Sequence, residues 1–115
     1  MERHVHFPSG IGYTLSPANG EYVLSLADVD ELVRYDTEGA ACAVIVPPNA
    51  EVAFPVGTRI WIEIGSPGSV EVRAASGVSL SRQITLTSRS QQAVIEKMAT
   101  NTWHVAGLAL EWADS

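Results

Sequence analysis

The chain has 115 residues, of which 46% are hydrophobic and 17% charged, with a formal net charge of −6. That length supports one core and one domain, and the apolar content is too high for a disordered chain. Seven Lys and Arg, scattered among thirteen Asp and Glu, leave no basic footprint, so direct nucleic-acid binding is not expected.

Cys42 is the single cysteine, which rules out a disulfide framework within the chain and any zinc-ribbon spacing. It sits in the apolar run 40–46, where a free cysteine behaves as a small hydrophobe. Met1-Glu2-Arg3-His4 leads to no apolar segment of signal-peptide length, and no run approaches the roughly 18 apolar residues of a membrane span. A soluble protein made inside the cell, with no membrane partner, is expected.

Residues 1–20 are rich in turn formers (Pro8, Ser9, Gly10, Gly12, Ser16, Pro17, Asn19, Gly20), leaving short extended pieces at 4–7 and 13–15. Ile11, Tyr13 and Leu15 alternate as a strand does, which predicts an extended N-terminal arm that gains structure on a neighbouring subunit. His4 and His6 flank Val5 and project to one side of such an arm. Two histidines do not close a metal site; three chains around a three-fold axis would offer an octahedral set. Solvent-exposed terminal histidines are the simpler reading, and no metal or cofactor is expected.

From Glu21 the pattern is regular. Tyr22, Leu24 and Leu26 share one face and predict a first strand, and Asp28 to Glu31 carries the chemistry of a single helical turn. Residues 32–35 predict a second strand, 36–39 a turn, and 41–46 a third strand that is apolar on both faces. The acidic cluster Asp28, Asp30 and Glu31, with Asp36 and Glu38, lacks the ligand count and bend glycine of a calcium loop and reads as a solvated turn.

Residues 45–64 are the most distinctive stretch. Pro47 and Pro48 have no N–H to continue a ladder, Phe54 can anchor the crossing, and Gly57 supplies the backbone freedom to start the return. The strand 59–64 sets Ile60, Ile62 and Ile64 against Arg59, Trp61 and Glu63. Residues 65–68 read as a tight reversal into a strand at 70–74, a hairpin with Arg and Glu pairing across it. Residues 77–80, a polar stretch to Ser90, a strand at 93–98, a turn at Thr100-Asn101 and a last strand at 102–106 complete the pattern. Turn signals recurring every eight to twelve residues, without a helical period, predict an all-β fold. The expectation is a single small antiparallel β-sandwich or barrel of about 7–9 short strands. Its parts would be an arm at 1–20, a module at 21–107 and a tail at 108–115.

No catalytic set is visible. Ser79, Ser81, Ser88 and Ser90 lack a nucleophile-elbow pattern, and no spacing selects one of them as a partner of His104. Glycine loops for phosphate are missing from the sequence. Trp61, Trp103 and Trp112 offer a sugar-stacking platform in principle. Packing in or between sheets is the simpler role for Trp61 and Trp103, and docking on the body or a neighbour for Trp112. An enzyme is not expected.

Several segments in a fixed order carry a resemblance. They are Tyr22-Val23-Leu24-Ser25-Leu26-Ala27-Asp28, Leu32-Val33-Arg34, Val46-Pro47-Pro48-Asn49, Val52-Ala53-Phe54-Pro55-Val56-Gly57-Thr58, and Asn101-Thr102-Trp103 with Val105 and Gly107. Over residues 21–107 the chain resembles a recurrent β-module of bacteriophage virion structural proteins, found alone or at the end of tail-fibre and appendage proteins. The resemblance implies a non-enzymatic protein of the virion, in a context of homotrimers. With only a short arm beside the module, a capsid decoration or head accessory protein on the outer shell is expected. Its partners would be the major capsid protein or other virion proteins. The alternative is a tail-fibre or tail-tip component with a receptor- or carbohydrate-binding role. On this reading His4, His6, Ile11, Tyr13, Leu15, Trp61 and Trp112 are the candidate assembly residues, and Pro47, Pro48, Phe54 and Gly57 anchor the fold.

Overall fold

The alternation in the sequence becomes short strands, and nearly every one changes sheet. A computed structural model describes residues 13–15, 20–37, 39–65, 67–88 and 91–109, with the backbone alone for 13–15 and 106–109. The strands are β1 (Tyr13–Leu15), β2 (Glu21–Val23), β3 (Leu32–Tyr35), β4 (Ala41–Val46), β5 (Arg59–Ile64), β6 (Ser69–Ala74), β7 (Ser79–Leu80), β8 (Ile84–Leu86), β9 (Gln92–Ala99) and β10 (Thr102–Ala109). One sheet has six strands in the order β1-β3-β5-β9-β10-β7, the other four in the order β2-β4-β6-β8. From β1 to β9 each strand lies in the sheet opposite to its predecessor. Up to β6, a strand that returns to its own sheet after such a detour runs parallel to the one before it, whereas β8 returns antiparallel to β6. The strand in the other sheet is therefore the crossover that parallel pairing requires.

This corrects two expectations. The sheets are mixed rather than antiparallel: β1, β3 and β5 pair in parallel, as do β2, β4 and β6, while β5–β9, β9–β10 and β6–β8 are antiparallel. Neither sheet closes on itself, so the barrel alternative is set aside. The reversal at 65–68 is not a hairpin either. β5 pairs with β3 and β9, and β6 with β4 and β8. Two alternating strands around a tight turn look alike whether the turn pairs them or folds one sheet over another. Here Ile60, Ile62 and Ile64 of β5 and Val70 and Val72 of β6 belong to one buried cluster fed from both sheets. The expected Arg–Glu pairs accordingly form elsewhere: Arg34–Glu63 at 3.4 Å between β3 and β5, and Arg59–Glu96 at 3.5 Å between β5 and β9.

Smaller differences have local causes. The first strand stops at Val23 because Ser25 caps a 3-10 turn at Leu26–Asp28, earlier than the expected turn. β8 lies within the polar stretch, where only Ile84 and Leu86 point inward around Thr85. β10 runs past the expected end at 106, through an irregularity between Ala106 and Leu108, to Ala109.

The connections 36–40 and 65–68 dock side by side. Thr37 Oγ1 donates to the Pro67 carbonyl at 2.7 Å, Gly39 N–H to the same oxygen at 2.6 Å, and Ser69 N–H to the Ala40 carbonyl at 3.1 Å. Gly68 sits between them at φ 135°, where a Cβ would land on Thr37 Oγ1 and the Ala40 carbonyl oxygen. Gly68→Ala combines that backbone strain with a clash that a main-chain group cannot relieve. The expected loss is about 2 kcal/mol, read from the denaturant midpoint.

Candidate functional site

The segments that carry the resemblance meet at one end of the molecule. Residues 47–58 leave β4 after Val46 and cross from the four-stranded to the six-stranded sheet before Arg59. Pro47 is buried there with no N–H left to satisfy. Beyond it, Glu51 and Val52 donate back to the Pro48 carbonyl at 2.9 and 3.1 Å, and Thr58 to Pro55 at 3.1 Å. Gly57 takes φ 97°, the left-handed region that glycine tolerates. Its N–H donates to the Lys97 carbonyl at 2.8 Å while Lys97 N–H donates to Thr58 at 2.9 Å, so the loop extends the β5–β9 ladder.

Lys97, Asn101 and Trp103 fasten this crossing by meeting Asn49 and Phe54 of the loop. Phe54, 3% exposed, meets Trp103 of β10 edge-on, with ring centroids 5.4 Å apart and planes at 86°. Lys97 of β9 is 2% exposed. Its ammonium donates to Asn49 Oδ1 at 2.6 Å and to the Phe54 carbonyl at 2.8 Å. Asn49 N–H in turn donates to Asn101 Oδ1 at 2.8 Å. Burial holds the Lys97 amine below the ordinary lysine pKa. Two loop acceptors, one lysine, one asparagine and one aromatic pair thus form a single lock.

A second polar cluster fixes the neighbouring crossing from β2 to β3. Ser25 Oγ accepts the Ala27 N–H at 3.3 Å, and Asp28 Oδ2 accepts the Ser25 N–H at 2.8 Å, a reciprocal capping box. Tyr22 adds its hydroxyl, donating to Asp28 Oδ2 at 3.0 Å. Burial raises the Asp28 carboxyl above its ordinary value; the Ser25 N–H opposes this, and the Glu31 charge adds to it. Between the ordinary and the raised value the folded chain holds more protons than the unfolded one. The contribution of Asp28 is therefore full at low pH and is lost as pH rises through that window. Asp28→Asn keeps an acceptor for Ser25, and is expected to flatten this decline in denaturant titrations run upward from the ordinary carboxylate range.

The expected fold anchors occupy these positions: Pro47 and Phe54 are buried, Pro48 is half-buried, and Gly57 makes the turn. The candidate assembly residues are spread out. Tyr13 and Leu15 lie in β1, which pairs in register with Val33 and Tyr35 of the same chain. Trp61 faces away from the core residues Ile60 and Ile62, opposite Leu32, and is only 4% exposed. His4, His6, Ile11 and Trp112 lie outside the described residues. Lys97 was missed. Its signal was an inward position in β9, in step with Ala93 and Ile95, where a charged residue needs a partner.

Other candidate chemistry is committed elsewhere. Ser81 Oγ accepts the Val105 N–H at 2.8 Å, and His104 is exposed. Burial pushes the Cys42 thiol up, away from the thiolate form. A groove of about 290 Å³ lies beside it on the four-stranded sheet, lined by Gly20, Ala41 and Ala43 with Glu21, Glu71 and Arg73. Arg73 reaches both carboxylates, Glu71 at 2.9 Å and Glu21 at 3.3 Å. Among the described residues, no group of three or more His, Cys, Asp or Glu is placed to hold a metal ion. No described helix is long and apolar enough to cross a membrane. Comparison with known protein families, with characterised proteins and with solved structures gives no match.

Proposed function

We propose that the protein is a non-enzymatic structural component of a bacteriophage virion, a capsid decoration or head accessory protein bound to the outer shell. In this reading the two sheets pack as a sandwich, residues 1–20 act as an arm, and copies assemble as a trimer. One observation carries the reading. The residues that resemble virion modules (Asn49, Phe54, Asn101 and Trp103) are spent on one another and on Lys97, building a rigid body rather than a cleft. A body stiffened in this way suits a shell contact made by shape, which needs no chemistry. The sandwich has support in the single buried cluster drawn from both sheets.

The alternative role at the tail, in receptor or carbohydrate binding, gains little from Trp61, because a ring so well buried presents no open face for a sugar. Labelling of purified particles, or density in cryo-electron microscopy, separates the two. Many copies spread over the head are expected. A handful at the tail would replace this reading with the alternative, and absence from the particle would end both.

A further inference from the structure

We infer that the open side of β10, from Val105 to Ala109, takes residues 4–7 of a second copy of this chain as an added strand. β10 is eight residues long and pairs with β9 from Thr102 to Ala109. Its other side is covered only at the start, where β7 pairs with Thr102 and Trp103. There the Ser79 and Ser81 N–H groups donate to the Asn101 and Trp103 carbonyls at 2.8 and 2.9 Å. Ser81 Oγ then accepts the Val105 N–H at 2.8 Å. Beyond that point no described residue pairs with this side of the strand. A backbone edge of this kind is a template for an extended segment.

Pattern, charge and reach identify the occupant. His4-Val5-His6-Phe7 sets Val5 and Phe7 on one side and the two histidines on the other, and Pro8 ends the run. In residues 1–12 Glu2 is matched by Arg3, so with neutral histidines the whole net charge of −6 lies in residues 13–115. The segment therefore meets an acidic body without like-charge repulsion, and the residues after β10 offer Glu111 and Asp114 as complements to Arg3. The donor has to be another molecule. β1, which follows the segment, lies at the far edge of the same sheet, in the order β1-β3-β5-β9-β10. The position beside β10 is thus about 24 Å from β1, measured strand by strand. The link from Phe7 to Tyr13 spans at most about 22 Å when fully extended. One face of the sheet is also closed by the core that both sheets share, so the path cannot be shortened there. Donor and acceptor lie at opposite edges, which makes the contact head-to-tail, the kind that closes into a ring. This rests on the self-association in the proposed function and names its surface. It is tested on the purified chain in solution, so its failure is separate from where the protein sits on a particle.

The test is sedimentation velocity of the full chain over a range of concentrations, comparing the wild type with Val5→Pro/His6→Pro. Successive residues of a strand direct their N–H groups to opposite sides, so the pair of prolines removes the donor facing β10 in either orientation. Circular dichroism with thermal unfolding checks that the variant folds. The expected result is a self-associating wild type whose dissociation constant rises at least about tenfold in the variant. Hydrogen exchange read over residues 105–109 should slow in the associated wild type and return to the monomer rate in the variant. A synthetic peptide of residues 1–12 added to the wild type should compete and dissociate the assembly, a readout that needs no variant. A wild type that stays monomeric at the highest concentration would overturn the inference. So would association that neither the prolines nor the peptide weakens, or association that leaves exchange at 105–109 unchanged.

Discussion

Phe54→Ala is expected to destabilise the chain by about 3–5 kcal/mol, read as a lower denaturant midpoint with an unchanged m-value. The ring is buried in the cluster that both sheets share, and it closes against Trp103 from a different part of the sequence. Removing it opens a cavity at the point where a proline-stiffened loop must hold its course. Because Pro47, Pro48 and Pro55 limit how the loop can collapse, little of that space is recovered. Phe54→Leu keeps most of the volume and loses the edge contact, so it should cost markedly less. A loss below 1 kcal/mol for the alanine variant would mean that the ring is not the anchor its burial implies.

Lys97→Met should cost about 2–4 kcal/mol, because it leaves Asn49 Oδ1 and the Phe54 carbonyl without their donor. The methionine fills the same stem, so the loss reports the amine and not a cavity. The sign of its pH dependence follows from burial. With the folded-state value held low, the unfolded chain binds more protons between that value and the ordinary one. The Lys97 contribution to stability therefore rises as pH rises through that window. The methionine variant should lack this rise while otherwise unfolding as the wild type does. An identical alkaline profile in the two proteins would show that the amine is solvated.

The strands were largely legible because alternation is a local property. The run Arg59–Ile64 and the buried stretch Ala41–Val46 fall where their patterns put them. The sheet partners were not legible. The turn at 65–68 has the same local signature whether it closes a hairpin or arches between sheets, and only the burial of Ile60–Ile64 and Val70–Val72 against one another decides. The helical turn was displaced because Asp28 acts as the third helical residue reaching back to Ser25, not as the cap itself. The lock was half legible. The order of the Pro-Pro-Asn, Phe-Pro-Val-Gly and Asn-Thr-Trp segments could be seen. Their meeting could not, since its hydrogen bonds span 48 and 52 residues.

The claim that these segments work as one device is tested most directly by a double-mutant cycle between Lys97→Met and Asn49→Ala. The alanine removes Oδ1 but keeps the Asn49 N–H that bonds Asn101. Each single variant and the pair would be unfolded in denaturant at neutral pH. If Lys97 and Asn49 act through each other, the double variant loses less than the sum of the singles by at least about 1 kcal/mol. Losses that simply add would contradict the lock.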